Sequence, residues 1–260
     1  MNNTDLQNLR SWFSQYTNRY SSLHTTYKEA YKLKIRHSAK VSLICADIGR
    51  SLNLNNGDIA LAETIGLFHD IGRFEQFSRY HTFLDKKSEN HAELGVKVLK
   101  EGQILNHLDG NLQEIIEKAI SYHNRLQIPA EESPRIVLFS KLIRDADKLD
   151  IFDLVSTYYN GNGRSAVIEL DLPDEPEYST GMLSDLSKNK LVDIKKMRTL
   201  NDFKLLQLGW IYDLNFPITV KRIKERQYLE AIRKSLPVSK EIDAVMVHLN
   251  DYLNRQVGQG

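Results

Sequence analysis

Leu67-Phe68-His69-Asp70-Ile71-Gly72-Arg73 sets two ionisable side chains side by side where an apolar helix face ends. Upstream, Ala62, Ile65, Gly66 and His69 fall on one face of a helix that Asp58 is placed to cap, with Gly72 expected to stop it. The preceding helix, Lys32 to Leu52, brings His37, Val41, Ile44, Cys45 and Ile48 to one face and ends at the turn Asn55-Asn56-Gly57. Downstream, residues 73–87 are aromatic and basic without a clean period and are expected to form a loop. Ser88 is then positioned to cap a third helix with His91, Leu94, Gly95 and Val98 aligned, closed by Gly102. A fourth helix from about Leu112 turns Ile116, Ala119, Ile120 and His123 inward. A fifth, opened by Pro134, aligns Ser140, Ile143, Asp147 and Ile151.

Beyond this region the pattern is less regular. Tyr158 to Arg164 is expected to be a loop, Ser165 to Leu172 a short strand or extended segment, and the acidic stretch Glu169 to Glu177 an excursion. Helical periodicity returns after Leu183. It is clearest in the stripe Ile242, Val245, Met246, Leu249 and Leu253 behind a Ser239 cap. The expectation is an all-α bundle of one domain over 1–260, with a core at about 33–150 and a helical extension at about 180–256.

Composition narrows the function. The chain has 260 residues, 41% hydrophobic and 27% charged, so it can bury a core. Lys+Arg 35 against Asp+Glu 34 leaves a formal charge of +1, which argues against a nucleic-acid coat. The twelve Lys/Arg of segment 188–234 are expected to be a solvated helix face. A single cysteine, Cys45, excludes an intramolecular disulfide and a cysteine-based zinc cluster, and on a core face it is simplest as a small hydrophobe. No basic-then-apolar leader and no spanning apolar run is present, so a cytoplasmic protein without membrane contact is expected.

Five predicted helices each carry a His or Asp to the apolar face near one end: His37, His69 with Asp70, His91, His123 and Asp147. One such histidine is usually a satisfied core residue. Burying an unpartnered imidazole or carboxylate costs several kcal/mol, and a chain rarely repeats that cost five times. A shared metal cluster removes it, because cations satisfy all the ligands together. The other histidines, His24, His81, His107 and His248, have no face partners suggesting ligation.

The order His37, His69-Asp70, Asp147 resembles the signature of the HD superfamily of metal-dependent phosphohydrolases. Leu67 to Arg73 is similar to that superfamily's HD helix, and Arg144-Asp-Ala-Asp-Lys-Leu-Asp150 to its closing Asp segment. The resemblance covers roughly 33–150. His91 and His123 are similar to the extra histidines of its two-metal members. That implies one ion on His37, His69, Asp70 and Asp147 and another on Asp70, His91 and His123, with Asp70 bridging. A mixed nitrogen and oxygen shell suits one or two divalent ions of Fe, Mn, Co, Ni or Zn better than Mg or Ca. The chain departs from the cyclic-di-GMP phosphodiesterase branch: it reads Tyr122-His123-Asn124 where that branch doubles the histidine, and no Gly-Tyr-Pro follows.

What the resemblance implies is hydrolysis of a phosphate ester, in a small phosphorylated molecule or nucleotide, with Asp70 and Arg73 as the catalytic pair. Arg73, Arg144 and Lys148 are candidate substrate-binding residues, since a guanidinium donates a fork of N–H groups to phosphate oxygens. The same ligand set also resembles the superfamily's mixed-valence di-iron oxygenases. A slow nucleotide-binding regulatory module is a third reading.

Overall fold

The computed structural model describes residues 1–23, 27–161 and 165–257; His24 and the Asn162-Gly163-Arg164 part of the expected loop lie outside them. The described residues form helices, and no strand occurs among them. The chain divides into two compact units, Met1–Asp150 and Ile151–Gly260.

The first unit is built on α1 (Asn3–Leu23), α2 (Lys28–Ser51), α3 (Asn56–Phe68), α4 (Gly72–Tyr80), α5 (His91–Glu101), α6 (Gly110–Tyr122) and the start of α7 (Pro134–Tyr158). Helices α2 and α3 pack closely against each other. The reason is local: a Cβ on Gly66 would stand 2.8 Å from both Cys45 Sγ and Ser42 Cα, so only glycine allows the approach. Ser42 Oγ donates to the Glu63 carbonyl at 2.8 Å across the same seam. Cys45 is fully buried there, the small hydrophobe expected. Helix α1 meets α3 and α4 through aromatic rings: Phe13 packs edge-on against Phe68 and Phe74.

Three local expectations fail here. Residues 73–87 are not a loop: α4 occupies most of them, followed by a 3₁₀ turn at Asp85–Lys87. Phe74 and Phe77 do form an apolar face, but Gln76 is fully buried between them, and a buried amide hides the period. Gly72 opens α4. Its Cβ would stand 2.2 Å from the His91 carbonyl oxygen and 2.5 Å from Gly95 N, so glycine is needed where the α4 start meets the α5 start. The caps also move: Asn55, not Asp58, caps α3, and Asn90, not Ser88, caps α5, each through a side-chain oxygen accepting backbone N–H groups.

The second unit holds the rest of α7, then α8 (Ala166–Glu169), α9 (Thr180–Ser187), α10 (Leu200–Gly209), α11 (Pro217–Glu225), α12 (Tyr228–Arg233) and α13 (Lys240–Val257). The stretch Ser165–Leu172 is a short helix and not a strand; Leu170 and Asp171, at φ 55 and 54, end it in the left-handed region. Helicity returns at Thr180, slightly before the expected Leu183. Thr199 and Asp202 form a capping box at the start of α10. Ser239 Oγ accepts from Ile242 N at 3.3 Å, and the Ile242, Val245, Met246, Leu249 and Leu253 stripe is buried. Phe152 stacks on Tyr228, whose hydroxyl donates to Asp153 at 3.0 Å. No described helix is long and apolar enough to cross a membrane.

Candidate metal centre

Helices α2, α3, α5, α6 and α7 bring six side chains to one point inside the first unit. His37 lies in the middle of α2 and Asp147 in the middle of α7, not near helix ends as expected. The other four do stand at ends: His69 and Asp70 just after α3, His91 as the first residue of α5, His123 directly after α6. The four histidines and Asp70 are buried, and the Asp147 side chain is 20% exposed.

Each imidazole is tied at Nδ1. His69 Nδ1 donates to the Gly66 carbonyl at 2.8 Å and His123 Nδ1 to the Ile120 carbonyl at 2.7 Å. A carbonyl can only accept, so Nδ1 carries the proton in both. Each ring thereby bonds back onto a carbonyl in the last turn of the helix that precedes it. The other two rings are held by carboxylates: His37 Nδ1 lies 2.7 Å from Asp150 and His91 Nδ1 lies 2.8 Å from Asp85.

All four Nε2 atoms therefore face inward. His37 Nε2 is 3.2 Å from His69 Nε2, and His91 Nε2 is 3.0 Å from His123 Nε2. Asp70 stands between the pairs. Its Oδ2 lies 3.6 and 3.7 Å from His37 and His69 Nε2, and its Oδ1 lies 3.4 and 3.9 Å from His91 and His123 Nε2. Asp147 Oδ1 joins the first pair, 3.0 Å from His37 Nε2 and 3.5 Å from His69 Nε2.

The charges fit a cation. Burial, then the neighbouring His91 and His69, push the His123 pKa down to about 3, and burial lowers His91 as well. Both rings are thus neutral at pH 7, and their Nε2 lone pairs oppose each other with no proton between them. Burial and Lys34 disfavour a charged His37, but hydrogen bonds to Asp147 and Asp150 outweigh them and hold its pKa at about 9. Burial opposes ionisation of Asp70 and Asp147 too, yet Lys34 and the surrounding histidines keep Asp70, and His37 and His69 keep Asp147, well below the usual carboxylate range. Opposed lone pairs beside buried carboxylates are what a divalent ion satisfies. Two donors each about 2.1 Å from one ion and at right angles stand about 3.0 Å apart, close to the spacings within each pair. His37, His69 and Asp70 can hold one ion, and Asp70, His91 and His123 another; His69, His123 and Asp147 form a third overlapping group.

Residues 35–151 match the HD domain family. This part of the chain is an HD domain. No curated protein and no solved structure matches the chain. HD domains are generally metal-dependent phosphohydrolases, and the clustered histidines and aspartates of this one suit divalent metal binding.

The remaining candidates take different places. Arg73 lies along the HD-domain cluster: its Nε is 3.4 Å from Asp70 Oδ1, while its Nη1 donates to the Phe83 carbonyl, Gln76 Oε1 and Asp85 Oδ1. Arg144 is buried, and its guanidinium reaches the carbonyls of Tyr122, Arg125 and Leu126, clamping the turn that carries His123. Lys148 is buried and donates to the Arg144 carbonyl at 3.3 Å. His81 stacks on Tyr27, and His248 pairs with Asn189.

Three neighbours of the cluster escaped the sequence reading. Lys34 Nζ is 2.7 Å from Asp70 Oδ2, one helical turn before His37. Asp150 is one turn after Asp147, so an i, i+3 search around each ligand would have found both. Asp85 gives no such signal, because it meets His91 by a turn of the backbone.

Proposed function

We propose that the chain is a metal-dependent phosphohydrolase acting on a small phosphorylated molecule, foremost a nucleotide. One divalent transition-metal ion is held by His37, His69, Asp70 and Asp147 and a second by Asp70, His91 and His123. The observation that carries this reading is Asp70: one carboxylate oxygen faces the His37–His69 pair and the other faces the His91–His123 pair. Cations bound there supply Lewis acidity, which lowers the pKa of water and withdraws charge from phosphoryl oxygens. The nitrogen and oxygen donors suit Fe, Mn, Co, Ni or Zn.

The chain's own side chains do the rest. Asp70 and Asp147 balance the positive charge. Lys34 and Arg73 both lie by the Phe83 ring, with Nζ 5.4 Å and Cζ 5.9 Å from its centroid, and so form a cationic edge next to Asp70. With Asp70 serving as a metal ligand, the Lys34 ammonium, which contacts it at 2.7 Å, would hold an anionic oxygen of the substrate. The Arg73 Nη2 group makes none of the bonds that fix Nη1, and it offers a second donor to phosphate. Arg144 acts at a distance by holding the His123 turn.

One observation favours a second reading. The superfamily's di-iron oxygenases, which the ligand set resembles, tend to place a lysine close to the cluster to hold anionic or hydroxyl groups, and Lys34 lies 2.7 Å from Asp70 Oδ2. Metal-free protein loaded separately with Mn, Co and Fe, then assayed against phosphomonoesters and nucleotides without oxygen, separates the two. The expected result is phosphate release with all three metals under anaerobic conditions. Turnover that requires both iron and O₂ would establish the oxygenase reading instead, and tight nucleotide binding without turnover the regulatory one.

A further inference from the structure

Asp85 sits in the 3₁₀ turn between α4 and α5, six residues before His91, and its side chain is 34% exposed. Its carboxylate nevertheless collects more partners than any ligand needs for simple solvation. Oδ2 lies 2.8 Å from His91 Nδ1, and Oδ1 accepts from Arg73 Nη1 at 3.0 Å and Gln76 Nε2 at 2.8 Å. Gln76 is fully buried, and its amide also reaches Ser88 Oγ and the Glu89 carbonyl, both at 2.9 Å, closing the turn around Asp85. The result is a ring: Asp70 to Arg73, Arg73 to Asp85, Asp85 to His91, and His91 back to Asp70.

The partner of His37 differs. Asp150 lies on α7 and is buried. A histidine that ligates a metal is oriented, and its basicity raised, by the acceptor on its other nitrogen, and losing that acceptor commonly costs metal affinity about 10–100-fold.

We propose that Asp85 is the positioning residue for the His91–His123 half of the centre, fixing His91 with Nε2 inward and fastening Arg73 to the same turn. This rests on the metal-centre reading above. Asp85 touches no expected substrate atom; it acts through His91 and Arg73.

Metal-free full-length protein titrated with Mn or Co, with bound metal measured after gel filtration, tests this. Wild type should bind two ions. Asp85→Ala should bind one as wild type does and the other about 10–100-fold more weakly. Asp85→Asn, which keeps an acceptor oxygen for His91 but loses the charge, should fall between. Melting of the metal-free proteins, followed by circular dichroism, should not change among the three, because a merely structural residue would lower it. The proposal is overturned if Asp85→Ala binds both ions with wild-type affinity, loses both equally, or melts lower without metal in proportion to the lost affinity. His91→Ala serves as the separate control. If it still binds two ions, the two-metal reading itself fails; if it binds one while Asp85→Ala binds two, only the positioning role fails.

Discussion

The two halves of the centre are built by different means. His37 and Asp147 project from the interiors of α2 and α7, helices of 24 and 25 residues, and Asp150, which holds His37, is on the same helix as Asp147. Backbone hydrogen bonds on both sides of His37 and Asp147, and the packing of α2 on α3 at Gly66, hold these two within helices, while His69 of the same half stands just past the end of α3. His91 and His123 stand at the first residue of α5 and just past the last residue of α6. Their orientation depends on the Asn90 cap, the Asp85 turn, and the Arg144 clamp on the segment after His123. Local opening starts at helix ends and turns, where few backbone bonds must break. One half therefore rests mainly on helix interiors, with His69 alone at a helix end, and the other on the connections, with Asp70 between them.

The sharpest way to break this comparison is to remove one ligand from each side. His37→Ala and His91→Ala should each lose about one ion while the other half keeps its own, since either set retains donors around Asp70. Metal analysis of the purified variants reads this directly, and equal loss of both ions in both variants would mean a single site. Next in size is Gly72→Ala, whose Cβ would meet the His91 carbonyl and Gly95 backbone. Backbone cannot yield as a side-chain tip can, so the expected cost is about 3 kcal/mol. A thermal melt should fall by roughly 2–4 °C for each kcal/mol, with weakened metal binding confined to the His91–His123 half.

Asp150→Asn sharpens the contrast from the other side. It removes the charge behind His37 and should weaken one ion about 10–100-fold, this time sparing the ion that Asp85 variants lose. Additive loss in Asp85→Ala/Asp150→Asn would show that the halves are held independently. The smallest effect is expected from Asn90→Ala, which strips the α5 cap and should cost about 1 kcal/mol, read as a small fall in the melting temperature. A larger drop in affinity for the second ion than in stability would show that the cap serves the His91 half specifically.

The clustering of these six side chains was legible because each interrupts an otherwise apolar helix face, and convergence on one point removes the cost of burying them. The all-α class was legible for the same reason: the 3.6-residue period carries through α2, α3, α5, α6, α7 and α13. What stayed hidden was hidden by polarity. Lys34 sits in the run Lys32-Leu-Lys-Ile-Arg36, where every second residue is basic and none stands out. Asp150 is the third aspartate in seven residues, and its pairing with His37 depends on how α2 meets α7. Helix α4 looked like a loop because Gln76 and Arg73 turn inward to bond Asp85, so its buried face is half polar. Asp85 itself is set by the path of a turn, and no residue period encodes that.

Asp70 is the residue that both halves share. The most direct measurement is the transition-metal content per chain of wild type and Asp70→Ala, purified in parallel without chelator and confirmed folded by circular dichroism. Between one and two ions per wild-type chain are expected, with near-complete loss of both in Asp70→Ala, because each half loses a carboxylate oxygen at once. Full metal content in a folded Asp70→Ala protein would contradict that shared role.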